Sequence, residues 1–196
     1  MSSLSMVGMS RWSPDAAVRL ERAALELFAE QGYAATTVPE ITARAGLTTR
    51  TFFRHFADKR EVLFLREREF PTVVSTLLES APAGMTPIDL VMHGLRAVAS
   101  ADLPAWRDEI ARRRSVVRSD ERLRERELLK STALADAIRA ALAARGFPEG
   151  DAALAASLGT LVFDNAIARW LDGPAERSLV DVLEETLASV RRLASS

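Results

Sequence analysis

Arg50 and Arg54 are the side chains whose type and spacing point most directly to chemistry in this sequence. They sit in residues 36–59, TTVPEITARAGLTTRTFFRHFADK, alternating with Phe52 and Phe56. On a helix, residues four apart share a face, so the two rings fall on one side. At 100° per residue, Arg50 and Arg54 each lie about 200° from Phe52, on the opposite side. Burying the rings therefore turns two guanidinium groups outward. Each can donate twice to a phosphate, or to O6 and N7 of guanine. Thr48, Thr49 and Thr51 add hydroxyl groups to the same turn. From Arg44 to Arg60 the basic residues Arg44, Arg50, Arg54, Lys59 and Arg60 face a single acid, Asp58. This is the pattern of a helix that enters a DNA major groove. The plainer alternative is a helical hairpin with a solvated basic face.

Two short helices joined by a tight turn would hold these residues. Thr37 can N-cap the first, with Glu40 as the other half of a capping box. Gly46 supplies the left-handed residue that ends it, and Thr48 can cap the second. A longer amphipathic helix precedes them, with Ser13-Pro14-Asp15 as its start and Gly32 as its stop. Leu20, Ala24, Leu27 and Phe28 form its apolar face, which would cover the inner side of the hairpin. Met1 to Arg11 read as a tail, with Arg11 available for a backbone or minor-groove contact.

The chain has 196 residues, 48% of them hydrophobic and only 6% aromatic. That balance favours helices and leaves room for a small domain joined to a larger one. A net charge of −1 hides an asymmetry: residues 1–60 carry eight basic and six acidic side chains, the remainder 18 and 21. A polyanion would meet one end of the molecule. The absence of cysteine excludes a disulfide framework, a thiol nucleophile and a Cys-ligated metal. No signal peptide and no run of 18 apolar residues is seen, so a cytoplasmic protein without a membrane span is expected. No cofactor or metal is expected. Catalytic motifs such as G-x-S-x-G, H-E-x-x-H or a Gly-rich phosphate loop are missing, and His55 and His93 lie far apart in sequence. An enzyme is therefore disfavoured, and a helical adaptor whose hairpin binds protein is the other alternative.

LERAALELFAEQGYAATTVPEITARAGLTTRTFFRHFADKREVLF resembles the N-terminal domain of the TetR family of bacterial transcriptional repressors. The match is carried by the F-A-E-Q-G-Y turn, the T-T-V-P-E-I start, the A-G-L turn, the T-F-F-R-H-F helix and the D-K-R-E segment. The resemblance implies an all-α fold of about nine helices. A three-helix DNA-binding head at residues 13–58 would precede a helical ligand-binding and dimerisation body at residues 59–196. It implies a homodimer on a palindromic duplex operator. Thr48, Thr49, Arg50 and Thr51 match positions that approach bases and phosphates, and Phe53, Arg54 and His55 follow on the same surface. Thr37 sits at a helix N-terminus suited to a phosphate. Lys59 resembles a phosphate-contacting lysine of the family, and Arg44 is near enough to add charge. Phe53 departs from the usual Tyr and loses its hydroxyl. Arg54 replaces a frequent aromatic residue, which shifts readout towards guanine.

Asp58-Lys59-Arg60-Glu61 has capping-box spacing and opens a helix to about Ser80, with a kink or break near Phe70 imposed by Pro71. Thr86 caps a helix striped by Ile88, Val91, Met92, Leu95 and Val98. Helices from about Pro104 to Arg118 and Glu121 to Arg145 follow. Eight arginines and seven acids between Asp102 and Glu127 read as a solvated face laced with i,i+4 pairs. The alternative is that some of Arg112, Arg113, Arg114 and Arg118 bind a phosphate-bearing ligand. After the break at Gly146-Phe147-Pro148, Leu154, Leu158, Leu161 and Val162 pattern one helix. Leu179, Val182, Leu183, Leu187 and Val190 pattern the last. The resemblance assigns this pair to the dimer interface, with intramolecular core as the alternative and room for both on different faces. Met92, His93, Trp106, Ile110, Arg114, Val117 and Phe163 are candidates to line an effector cavity, or equally to fill a core. The RDEIARRRSVV and RERELL segments weakly resemble family members with acyl-coenzyme-A-like effectors, so the expected effector is hydrophobic or acyl-CoA-like.

Overall fold

Nine α-helices and one 3-10 segment make up the regular structure of the computed structural model, which describes residues 16–101 and 106–195 apart from the side chains of residues 67 and 68. The helices are α1 (Ala16–Gln31), α2 (Val38–Arg44), α3 (Thr49–His55), α4 (Phe70–Glu79), α5 (Pro87–Ser100), α6 (Arg107–Ser119), α7 (Glu121–Ala144), α8 (Glu149–Asp172) and α9 (Leu179–Ala194). No strand occurs among the described residues, as the composition leads one to expect. The expected helix start at Ser13-Pro14-Asp15, the arm at Arg11 and the start at Pro104 lie outside the described residues.

The chain forms two compact units and passes between them three times. One unit holds α1, α2 and α3, the chain up to Leu65, and the segment Arg112–Arg126 from the end of α6 and the start of α7. The sequence division at residues 58 and 59 places that segment with the body, whereas its contacts place it here. The reason is apolar. Val116, Val117 and Leu123 are buried in the same cluster as Leu20, Phe28, Ile41, Phe52, Phe56 and Leu63.

Asp58 caps the chain after α3, its Oδ1 accepting from the backbone N–H of Arg60 at 2.7 Å and of Glu61 at 3.2 Å. A full capping box does not form, because the Glu61 carboxylate accepts from Arg126 at 2.7 and 3.1 Å. Residues Glu61–Glu69 then run as a 3-10 segment, not the α-helix expected, and Phe64 leaves the helical region at φ −116°, ψ 24°. Its ring is approached by two guanidinium groups, with Arg113 at 5.2 Å and Arg126 at 4.6 Å from the centroid. The break before α4 falls at Phe70, where Pro71 has no N–H to continue an α-helical ladder.

The other unit is a layered bundle in which α5 packs against α4, α8 and α9, and α8 against α9. Its core runs through Leu90, Val91 and Met92 of α5, Ala152, Ala156 and Trp170 of α8, and Val182, Leu183 and Leu187 of α9. Small residues on α8 bring the helices close. A Cβ on Gly159 would stand 2.3 Å from Cγ1 of Val91. The C-terminus of α8 is closed by Arg107, whose Nη2 donates to the carbonyls of Trp170 at 2.9 Å and Gly173 at 2.8 Å. A cation is favourable at that end of a helix.

Two measurements follow from this packing. Gly159→Ala should lower the thermal midpoint, with a stability loss of about 1–3 kcal/mol, because Val91 is stiff and cannot rotate clear. Asp58→Ala should destabilise the protein at neutral pH towards the lower end of about 0.5–2 kcal/mol, the side chain being partly solvated. Burial alone would raise the Asp58 carboxyl, but hydrogen bonds from the Arg60 side chain and two backbone amides outweigh it and hold it below its ordinary 3.8. A depressed carboxylate stabilises above its unfolded value, so the gap between wild type and Asp58→Ala should be full above about pH 4. It should close as pH falls through the lowered value, which denaturation curves across acid pH would register.

Candidate nucleic-acid interface

α2 begins on the capping box read from the sequence. The Glu40 backbone N–H donates to Thr37 Oγ1 at 3.4 Å, and the Thr37 N–H donates to Glu40 Oε2 at 2.7 Å. The Thr37 hydroxyl donates to that same carboxylate oxygen at 2.7 Å, so Glu40 occupies both donors that were candidates for a phosphate. These bonds hold the Glu40 carboxyl below its ordinary range. α2 ends on Gly46 at φ +65°, with Gly46 N–H donating to Ala43 O at 3.1 Å and Leu47 N–H to Thr42 O at 2.8 Å. That double bond pattern needs a left-handed residue, and Gly takes it without strain.

Thr48 then caps α3 by accepting from the Thr51 N–H at 3.2 Å. Phe52 and Phe56 are fully buried, their centroids 5.4 Å apart. The opposite face is open: Thr48, Thr49, Arg50, Phe53 and Arg54 are exposed, while Thr51 and His55 are half-buried. Phe53 is 60% exposed, and its ring meets Phe52 edge-on. The Arg50 side chain makes no hydrogen bond or ion pair with any described residue. Arg54 Nη2 lies 3.4 Å from His55 Nε2. α3 itself carries no acid.

The structure separates these two arginines from the other basic candidates. Arg44 is held bidentately by Glu30 on α1, at 2.9 and 2.8 Å. Arg60 pairs with Asp58 at 2.8 Å. Lys59 Nζ donates to the carbonyls of Tyr33 at 2.6 Å and Thr36 at 2.7 Å, and it stands 4.2 Å from the Tyr33 centroid. Lys59 therefore ties the end of α3 to the loop between α1 and α2. Burial, and then the charge of Arg122, hold its ammonium below the ordinary value.

The effector candidates fall in both units. Met92 is fully buried in the core of the second unit, Ile110 packs against that core, and Val117 is buried in the first unit. Trp106 is exposed under the Arg66 guanidinium, 5.1 Å from its centroid. Arg114 is half-buried within the first unit and His93 within the second. Asp164 accepts from the Ser131 hydroxyl at 3.0 Å. Phe163 lines a cavity of about 140 Å³, together with residues of α4, α5 and α7 such as Phe70, Leu77, Val98 and Ile138. Gly94, a missing side chain inside the apolar stripe of α5, was the available signal for that space. Arg122 bonds Asp120 at 2.9 Å, Arg126 reaches back to Glu61, and Arg113 stacks on Phe64.

The C-terminal candidates divide by face. Val162, Leu179, Val182, Leu183 and Leu187 are buried inside the unit, and Leu158 and Val190 are half-buried. Leu154 and Leu161, seven residues apart on α8, are 73% and 54% exposed. No described helix is long and apolar enough to cross a membrane.

Comparison with known proteins agrees with this architecture. A family profile described as "Bacterial regulatory proteins, tetR family" matches residues 21–65. The HTH-type transcriptional regulator TcmR of Streptomyces glaucescens is 42% identical over 80 residues, 41% of this chain and 35% of TcmR, so the match spans about a third of that relative. An uncharacterized HTH-type transcriptional regulator of Mycobacterium tuberculosis, Rv2912c, is 31% identical over 160 residues, 76% of this chain and 78% of the relative. The fold is also that of Thermus thermophilus FadR, a TetR-family transcriptional repressor crystallised with lauroyl-CoA. That likeness has a TM-score of 0.54 at 24% identity and covers 88% of this chain and 91% of FadR. On these grounds the chain belongs to the TetR family of bacterial HTH-type transcriptional regulators.

Proposed function

We propose that this protein is a ligand-responsive repressor that binds a palindromic DNA operator as a homodimer and releases it when a small apolar or acyl-type effector enters the body. The observation that carries the reading is the outer face of α3, where Arg50 and Arg54 stand exposed beside Phe53 with no acid on the helix. Arg50 and Arg54 would read base edges, and guanine suits a forked guanidinium. Phe53 has no group to donate to a phosphate, so it would make apolar contact with sugar or a thymine methyl. Thr48, Thr49, Thr51 and His55 would meet phosphates along the same edge. Lys59 retains one N–H beyond its two carbonyl bonds for a phosphate. Arg44 and Thr37 contribute by orienting the head, since Glu30 and Glu40 already occupy their donors.

Each α3 reads only a few base pairs, which favours two copies about one helical turn apart. Leu154, Leu158 and Leu161 on the outer side of α8 supply an apolar face for the second copy, while the buried leucines of α9 support it from within. FadR was crystallised with lauroyl-CoA, and the apolar cavity here offers a place for an apolar part of an effector. In this reading the protein acts by binding, without catalysis, alongside the DNA in the cytoplasm.

A salt titration of binding to duplexes from the promoter region of its own gene tests the reading. The log–log slope should be steeply negative, about −0.9 per phosphate neutralised. Affinity that is absent, or insensitive to salt, would contradict it. Arg50→Ala should cost about 1–3 kcal/mol at one or two base pairs per half-site and leave other sequences little changed. Lys59→Ala should weaken all duplexes about equally and also lower the thermal midpoint, because it removes two bonds to backbone carbonyls. Competition binding with single-base operator variants separates the two patterns.

A further inference from the structure

In the first unit, Lys59 and Arg122 both approach the ring of Tyr33. Lys59 Nζ lies 4.2 Å from the centroid and the Arg122 guanidinium carbon 5.1 Å from it, each within reach of a cation–π contact. Like charges on one ring repel, and the charge of Arg122 adds to burial in holding the Lys59 ammonium below its ordinary value. The charge of Asp120 acts on Lys59 in the opposite sense. Asp120 precedes α7 and Arg122 lies in its first turn. Both belong to the first unit, although they fall outside residues 21–65, the part matched by the family profile.

Asp120 is occupied by Arg122. Its Oδ1 accepts from the Arg122 backbone N–H at 3.0 Å and from Nε at 3.1 Å, and its Oδ2 accepts from Nη2 at 2.9 Å. The guanidinium holds the Asp120 carboxyl below its ordinary range. Leu123, next in the chain, is fully buried in the cluster that also contains Tyr33, Phe52 and Phe56, which fixes the start of α7. The Arg122 side chain itself is 59% exposed, so it adds little to that core.

We propose that Arg122 is a positioning residue for DNA binding that acts on Lys59 through Asp120: by occupying that carboxylate, it keeps it from competing with a DNA phosphate for the Lys59 ammonium. The proposal rests on the reading that Lys59 contacts a phosphate. With Arg122 in place, the pair carries no net charge. With Arg122 removed, Asp120 is an unpaired carboxylate acting on the same ammonium that phosphate must recruit. The penalty falls on every duplex alike, because phosphates carry no sequence information.

The test measures binding of the full-length protein, at one fixed low salt concentration, to a duplex from the promoter region of its own gene and to an unrelated duplex of equal length. Arg122→Ala should keep a thermal midpoint close to that of wild type and weaken both duplexes about three- to tenfold. Adding Asp120→Asn should restore both, since asparagine keeps the helix cap and drops the charge. In a Lys59→Ala background, Arg122→Ala should lose most of its effect, as coupled residues do. Arg122→Gln retains a packed stem and removes the charge, so it should weaken binding in the same way and carries the test if the alanine variant is unstable. The proposal is overturned if loss of the Arg122 charge leaves binding unchanged or if Asp120→Asn fails to restore it. It is also overturned if the loss is as large without Lys59, which would mean that Arg122 meets DNA itself. Lys59→Ala separates the proposal from the reading beneath it. Wild-type binding by Lys59→Ala overturns the phosphate contact, whereas weak binding by Lys59→Ala with normal binding by Arg122→Ala overturns the proposal alone.

Discussion

The burial of Phe52 and Phe56 is the constraint on which the exposed face of α3, and the DNA-reading role proposed for it, depends. α3 has seven residues, far too few to be stable alone in water. Its orientation comes from two rings inserted in the core of the first unit, from the Thr48 cap, and from the left-handed turn at Gly46. Once the rings are inside, helical geometry leaves Arg50, Phe53 and Arg54 no place but solvent. A side chain that could not be buried at position 52 or 56 would loosen the whole surface, not one contact.

Three other cations between Arg44 and Arg60 are held internally. Glu30 holds Arg44, Asp58 holds Arg60, and two carbonyls hold Lys59. The two ion pairs contribute little net field, so between Arg44 and Arg60 the guanidinium groups with no acidic partner among the described residues are concentrated on α3, at Arg50 and Arg54. That concentration favours base reading over diffuse attraction to any polyanion. Phe53 reinforces it, since an exposed phenyl group gains from apolar edges in a groove and nothing from phosphate.

Much of this was legible in sequence because the relevant forces are local. The caps at Thr37, Thr48, Thr86 and Asp58, the stops at Gly32, Gly46 and Gly146, and the break at Pro71 each depend on residues within one turn. Partners distant in sequence were not legible. Nothing near Lys59 announces the carbonyls of Tyr33 and Thr36, and nothing near Arg44 singles out Glu30. Val117 reads as an apolar residue of the body until the fold shows α6 delivering it to the first unit's core. The cavity escaped for a similar reason, because a void is a property of four helices together and apolar residues around it read as core. The 3-10 segment after Asp58 has no strong local signal beyond Pro71, and the Phe64 kink accompanies guanidinium groups almost fifty residues or more away.

The central claim is that the outer face of α3 chooses the DNA sequence. Selection from a pool of random duplexes, run in parallel with wild type and with Arg50→Ala/Arg54→Ala, tests it most directly. The account predicts that wild type enriches a two-fold symmetric site, and that the double variant loses that preference at defined positions in each half. Enrichment of no sequence by wild type, or of the same sequence by both proteins, would contradict it.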